Sequence, residues 1–271
     1  WPSNIMKLAL GMSLPSSNKV RKSLLLDKYI GSAVAYSLRK LSSSTTNVIR
    51  VRESGGDTEQ DFTADEITDG TLITFTGAND GFVVTWYDQS GNTRNMTQAT
   101  AAKQGKIVAS GVVLVEGGNP IIRAVSGSTE MGSTYDSSSL PTNKQFFSVI
   151  TANNIGSGNV FFGANGQASD FSYISTSGNS STSTSSNIVL SSELLNNQPF
   201  TYSTRGDLYT QLSSPSILSA NSVFSYGTNL TLGYTPSSSF SMYDMQEIII
   251  FDNQTDQSAK ITAINSFYSK Y

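Results

Sequence analysis

The sequence predicts an all-β protein, a sandwich or barrel of short strands. Three observations carry that prediction. Short apolar or alternating segments follow one another closely, with no long helix between them. The stretches that separate them are rich in Gly, Asn, Asp and Ser, which tolerate turn conformations. Charged residues make up only 14%, against about 25% in ordinary globular domains. Ser, Thr, Asn and Gly take their place, which disfavours long exposed helices built on Glu and Lys.

The 271 residues suit one large all-β domain or two small ones, and length alone forces no split. The expected division is an arm or linker over residues 1–22 and a single domain over 23–271. Trp1, Pro2 and Pro15 punctuate the arm, and serines surround its small basic cluster, Lys19 to Lys22. Such an arm suits a linker or docking on a neighbouring subunit. A short helix is expected over 33–41, with Ser32 as N-cap and Val34, Leu38 and Leu41 on one face. Residues 47–53 alternate, so Ile49 and Val51 face one way and Arg50 and Arg52 the other.

From residue 70 onward strands and turns follow quickly. Strands are expected over 71–76, 82–87, 106–109, 112–115, 121–125, 145–151, 159–163, 171–176, 187–190, 199–205, 207–212, 229–234 and 245–252. Residues 175–187 read as a polar, low-complexity surface loop. A C-terminal helix is expected after a cap at Thr255 or Asp256, with Ile261, Ile264 and Tyr268 on one apolar stripe.

Composition excludes several chemistries. With no Cys and no His, disulfides, thiolate nucleophiles, zinc–imidazole sites and histidine acid–base catalysis are unavailable. A net charge of −3 and a pI near 5.0 argue against nucleic-acid binding. No segment approaches the roughly 20 apolar residues of a membrane span. Residues 5–14 are broken by Gly11 and lack the basic leader of a signal peptide. No metal or cofactor is expected: Asn79, Asp80 and Asp88 are too few oxygen donors for a calcium loop. The sequons at Asn95, Asn179, Asn229 and Asn253 matter only in a secreted eukaryotic setting.

The most conspicuous motif is Trp86-Tyr87-Asp88-Gln89-Ser90-Gly91. One reading is a sugar-stacking platform, since Trp and Tyr present flat apolar faces with polar edges. The preferred reading is structural: a strand end whose aromatic side chains alternate across the sheet, followed by a turn that Asp88 caps.

Two blocks carry a family likeness. The segment 243–252 with the helix after it resembles the end of concanavalin-A-like lectin/glucanase domains. The stretch from Ala35 to Arg39 through 48–52, Asp61-Phe62 and 85–92 to Thr97-Gln98 resembles the start of arabinofuranosidase-B-type catalytic domains. It is also similar to structural proteins of tailed bacteriophages, marine ones especially. The blocks cover roughly 25–100 and 228–271. The resemblance implies a concanavalin-A-like jelly-roll β-sandwich with a short N-terminal helical segment and a short C-terminal helix.

Retaining glycosidases need two carboxyl groups about 5–5.5 Å apart. The resembling hydrolases carry their nucleophilic glutamate in a segment marked by paired cysteines, which this chain lacks. The central acids Glu116, Glu130, Asp136, Asp170, Glu193 and Asp207 match no such motif, so no catalytic residue is carried over. The expectation is a non-enzymatic virion protein (capsid decoration, fibre or tail component) that displays a lectin-like sandwich for attachment to host-surface glycan. Its partners would be other virion proteins, reached through the arm, and further copies of itself in a homo-oligomer. The alternatives are an arabinofuranosidase-type enzyme and a secreted lectin-like module. If sugar is bound, the unmatched middle offers Tyr135, Asp136, Asn165 and Tyr173 as contacts.

Overall fold

A computed structural model describes residues 23–124, 131–136, 143–152, 162–164, 189–199, 201, 207, 210–223, 229–232 and 243–271. In chain order it begins with α1 (Leu25–Lys28), β1 (Ser32–Ser37), β2 (Ile49–Glu53), β3 (Glu59–Phe62), α2 (Thr71–Thr76) and β4 (Gly81–Trp86). There follow β5 (Met96–Thr97), β6 (Gly105–Ala109), β7 (Val112–Val113), β8 (Val115–Glu116), β9 (Asn119–Pro120) and β10 (Ile122–Arg123). Next are β11 (Met131–Asp136), β12 (Asn143–Ala152), β13 (Phe162–Ala164), β14 (Val189–Leu195), β15 (Gln198–Pro199), β16 (Ser216–Val223) and β17 (Asn229–Leu232). The chain closes with β18 (Tyr243–Phe251) and α3 (Gln257–Tyr268).

The main sheet runs β13-β17-β11-β5-β4-β6-β10-β18-β12-β16-β14-β15, with β1 paired to β18, β2 and β3 beside β4, and β7 on β6. The strand pairings among the described residues are antiparallel, so the predicted all-β sandwich stands. The sheet closes over a core that takes Val51 from β2, Trp86 from β4, Val108 from β6, Phe146 from β12 and Ile250 from β18.

β18 shows how the layers are built. Ile248 and Ile250 enter that inner core, while Ile249 and Phe251 enter a second cluster on the opposite face. Each such burial contributes about 1.5–3 kcal/mol. A strand dry on both faces reads as an unbroken apolar run, which is what Ile248 to Phe251 is. The second cluster is roofed by α3, whose Ile261, Ile264 and Tyr268 pack on Phe147, Val149, Ile217 and Ile249, with Leu25 and Leu26 of α1 beside them.

Three sequence expectations are corrected. Residues 33–41 form no helix: β1 occupies Ser32–Ser37, and the N-terminal helical turn lies earlier, at Leu25–Lys28. The helical spacing of Val34, Leu38 and Leu41 was outweighed by pairing with β18. A strand also explains why both faces are dry, since Val34 and Tyr36 join the inner core and Ala35 the outer cluster.

Residues 71–76 form α2 rather than a strand, despite their β-branched composition. Gly70 and Gly77, both at positive φ, bound the segment. The hydroxyls of Thr74 and Thr76 donate back to the carbonyls of Gly70 and Leu72, four residues earlier. Those bonds, with Leu72 and Thr76 buried one turn apart, offset the weak helical preference. In the expected strand 207–212, the described Asp207, Thr210 and Gln211 are helical.

The capping expectation for α3 changes too. Asp256 precedes the helix at φ 54°, and its side chain makes no cap bond. Instead Lys260 Nζ reaches back to the Thr255 carbonyl (2.8 Å), Asn253 Oδ1 (3.1 Å) and Gln145 Oε1 (2.9 Å). The expected strand 171–176 and loop 175–187 lie outside the described residues.

Candidate functional site

Trp86-Tyr87-Asp88-Gln89-Ser90-Gly91 closes a sheet edge. β1 pairs on one side with β18, and its other side would present bare backbone groups. Asp88 Oδ1 accepts from Ala35 N (2.9 Å) and Ser90 N (2.9 Å), while Oδ2 accepts from Arg94 N (3.0 Å). The Gln89 backbone N–H donates to the Ala35 carbonyl at 2.8 Å. The buried Gln89 amide donates to the carbonyls of Ser37 and Arg39 and accepts from Leu41 N. Gly91 takes the positive φ the turn requires. Trp86 is fully buried in the inner core, with its ring 5.9 Å from that of Tyr36. No face of Trp86 is left for a ligand.

Chemistry that can reach solvent gathers on the outer face of β2, β3, β4 and β6. Strand register places it there, because residues directly opposite one another in a sheet share a face. One row runs Asp61, Arg50, Thr85, Thr97 across β3, β2, β4 and β5. A second runs Glu59, Arg52, Phe82, Lys106, Arg123, Asp244 across β3, β2, β4, β6, β10 and β18. Val51, Val83 and Trp86, between them in sequence, point inward and are fully buried.

The cations in these rows are paired with carboxylates. Arg50 donates from Nε (2.7 Å) and Nη2 (3.0 Å) to the two oxygens of Asp61, and Tyr87 Oη donates to the same carboxylate at 2.7 Å. The Arg50 hydrogen bond outweighs burial and holds the Asp61 carboxyl below its ordinary range. Burial, then Asp61, pushes the Tyr87 phenol up to about 12. Arg52 donates to Gln104 Oε1 (2.9 Å) and pairs with Asp57. Lys106 donates to Asp80 at 2.6 Å, and Arg123 grips Asp244 at 2.5–3.1 Å. Phe82 lies between cations, with Arg52 Cζ 5.1 Å and Lys106 Nζ 5.3 Å from its ring centre.

Of the central acids, Glu116 has a distinctive setting. The Thr151 hydroxyl donates to its carboxylate, and burial, reinforced by Asp244, raises its proton affinity. Gln246 Nε2 holds the β8–β9 hairpin that carries it through the carbonyls of Glu116, Asn119 and Pro120. Its neighbour Asp244 has no exposed side-chain surface and is committed to Arg123.

Of the sugar-contact candidates, Tyr135 and Asp136 lie on β11, in the same sheet as β5, with Asp136 opposite Asn229. Asn165 and Tyr173 lie outside the described residues. Asp80 and Asp88 are engaged by Lys106 and by the turn, and no group of three acids suited to a metal occurs among the described residues. Sequence reasoning missed Asp61, Tyr87 and Lys106 as a set. The outward alternation of Arg50 and Arg52 was the available signal; their partners come from strand register.

No family model matches the chain, and no curated protein matches it in sequence. Among solved structures the fold is similar to that of an arabinofuranosidase complexed with arabinofuranosyl-α-1,2-xylobiose. The TM-score is 0.56 at 14% identity, over 89% of this chain and 63% of that one. A mutant GH54 α-L-arabinofuranosidase soaked with 4-nitrophenyl α-L-arabinofuranoside gives 0.54 at 13% identity, over 86% and 62%. A GH54 α-L-arabinofuranosidase soaked with a cyclic sulfate inhibitor gives 0.53 at 13%, over the same shares. The chain thus spans 62–63% of the length of these proteins. At such identities the likeness establishes a shared β-sandwich fold.

Proposed function

We propose that this chain is a non-hydrolytic, carbohydrate-binding display domain, carried on a virus particle as a decoration, fibre or tail component. The observation that carries the non-hydrolytic part is the state of Asp244. The Asp244 charge adds to the burial that raises the proton affinity of Glu116, yet Asp244 is enclosed and held by Arg123. A nucleophile must reach an anomeric carbon, and a carboxylate in that position reaches none. Binding is supported by the half-open face of β2, β3, β4 and β6, where hydrogen-bonding groups are fixed in advance by their neighbours. The particle setting rests on the sequence likeness to tailed-phage structural proteins.

Incubation with 4-nitrophenyl α-L-arabinofuranoside should release no colour, and a glycan array should show retained ligands. One observation favours the enzymatic alternative: Glu116 combines burial with a raised proton affinity, as a general acid does. Turnover that disappears in Glu116→Gln would establish that alternative.

A further inference from the structure

We infer that the outer face of β2, β3, β4 and β6 selects neutral, polyhydroxylated glycan over acidic glycan, and holds it through hydrogen bonds rather than aromatic stacking. This rests on the carbohydrate-binding reading and names the ligand class for that face.

Every cation in the two rows already has a carboxylate: Arg50 with Asp61, Arg52 with Asp57, Lys106 with Asp80 and Arg123 with Asp244. A uronate or sulfate would have to displace one of these acids and then sit beside the others, at the cost of like-charge repulsion. Glu59, at the end of the second row, adds to that repulsion. A neutral hydroxyl displaces nothing, because charged pairs keep unused donors and lone pairs on their outer side.

Arg50 spends Nε and Nη2 on Asp61, which leaves Nη1 for a further acceptor. The Arg50 side chain is 42% exposed and the Asp61 side chain 30% exposed. Next in the row come Thr85 and Thr97, two hydroxyl side chains directly opposite one another. Donors and acceptors therefore alternate across neighbouring strands about 4.8 Å apart, a pattern suited to a chain of hydroxyls lying across the strands.

Stacking a sugar needs an open ring face. The Phe82 ring has Arg52 and Lys106 over it, and Trp86 is buried. Tyr87 takes part through its hydroxyl, which is tied to Asp61.

The test uses the full chain on an array of neutral, uronate-bearing, sialylated and sulfated oligosaccharides, with hits titrated calorimetrically. Retained ligands should be neutral, and their Kd should shift less than about twofold between roughly 50 and 500 mM salt. Tyr87→Phe and Asp61→Asn should each weaken binding by about tenfold, while Phe82→Leu weakens it by less than about threefold. Tyr87→Phe removes a single hydroxyl, so it reports on binding even if Asp61→Asn folds poorly. Acidic hits whose affinity collapses with salt would overturn the ligand class and leave carbohydrate binding standing. Neutral hits indifferent to both variants would overturn the assignment to this face. A blank array would overturn this inference together with the reading beneath it.

Discussion

The outer face of β12, β16 and β18 is apolar and hidden beneath α3, whereas the outer face of β2, β4 and β6 is charged and half open. Both use arginine–carboxylate pairs, so the contrast shows what burial does to the same chemistry. Under α3, Glu247 is fully enclosed and accepts from Arg39 Nε (2.7 Å) and Nη2 (3.0 Å), Ser37 Oγ (2.8 Å) and Tyr268 Oη (3.2 Å). On the open face, Arg50 and Asp61 make the same fork at the same distances while water screens them. The enclosed pair fixes the fold, and the open pair remains available for a ligand.

Removing one arginine from each face separates the two environments most strongly. Arg39→Leu leaves the Glu247 carboxylate buried without its counter-charge and should cost about 3–5 kcal/mol, read from urea unfolding. Adding Glu247→Leu should recover most of that loss, because the stranded charge is then gone. A cost below about 1 kcal/mol for Arg39→Leu would show that water reaches Glu247 and that the faces do not differ.

A smaller effect is expected at the sheet edge between them. Gln89→Leu keeps the bulk of a buried side chain but strands Leu41 N and the carbonyls of Ser37 and Arg39. It should cost roughly 1–3 kcal/mol, and hydrogen exchange should accelerate first at Leu41, whose amide loses its acceptor. Unchanged exchange there would mean that this amide does not secure the edge.

The covered face was the more legible of the two in the sequence. Ile248 to Phe251 is an unbroken apolar run, and Ile261, Ile264 and Tyr268 follow helical spacing, so local pattern alone locates a doubly buried strand and the helix above it. The open face was legible by half. The alternation of Arg50 and Arg52 shows that they point outward, but Lys106 and Phe82 join Arg52 through register between residues far apart in sequence. Residues 33–41 and 71–76 misled for a related reason. Their local spacing or propensity was overridden by partners: β18 for β1, and the Thr hydroxyls and flanking glycines for α2.

The covered face also holds a cation without a carboxylate bonded to it, and its burial makes stability depend on pH. Lys260 is 2% exposed, donates to three neutral oxygens and lies 4.1 Å from the Phe251 ring centre. Burial pushes its ammonium down to about 8 from an ordinary 10.5, with Asp256 opposing. Between those values the unfolded chain binds more protons than the folded one, so stability rises with pH across that window. Below about 8 the charge is present in both states and its burial cost is felt in full. Lys260→Met should flatten the slope of unfolding free energy between pH 8 and 10.5; an unchanged slope would assign it to another group.

The smallest expected change in stability is at Arg50. Arg50→Ala breaks a bidentate pair that is 42% and 30% exposed, so solvent takes up the freed Asp61 carboxylate and the loss should stay within about 1 kcal/mol. Its pH signature has a definite sign. Asp61 is held below its ordinary range mainly by Arg50, so the stabilisation is complete above that range and is lost as pH falls through the lowered value. The variant should therefore lose part of the acid-limb dependence and little stability at neutral pH, as measured by denaturant titrations across the acid range. A loss at neutral pH comparable to that of Arg39→Leu would mean that the open face is as much a part of the core as the covered one.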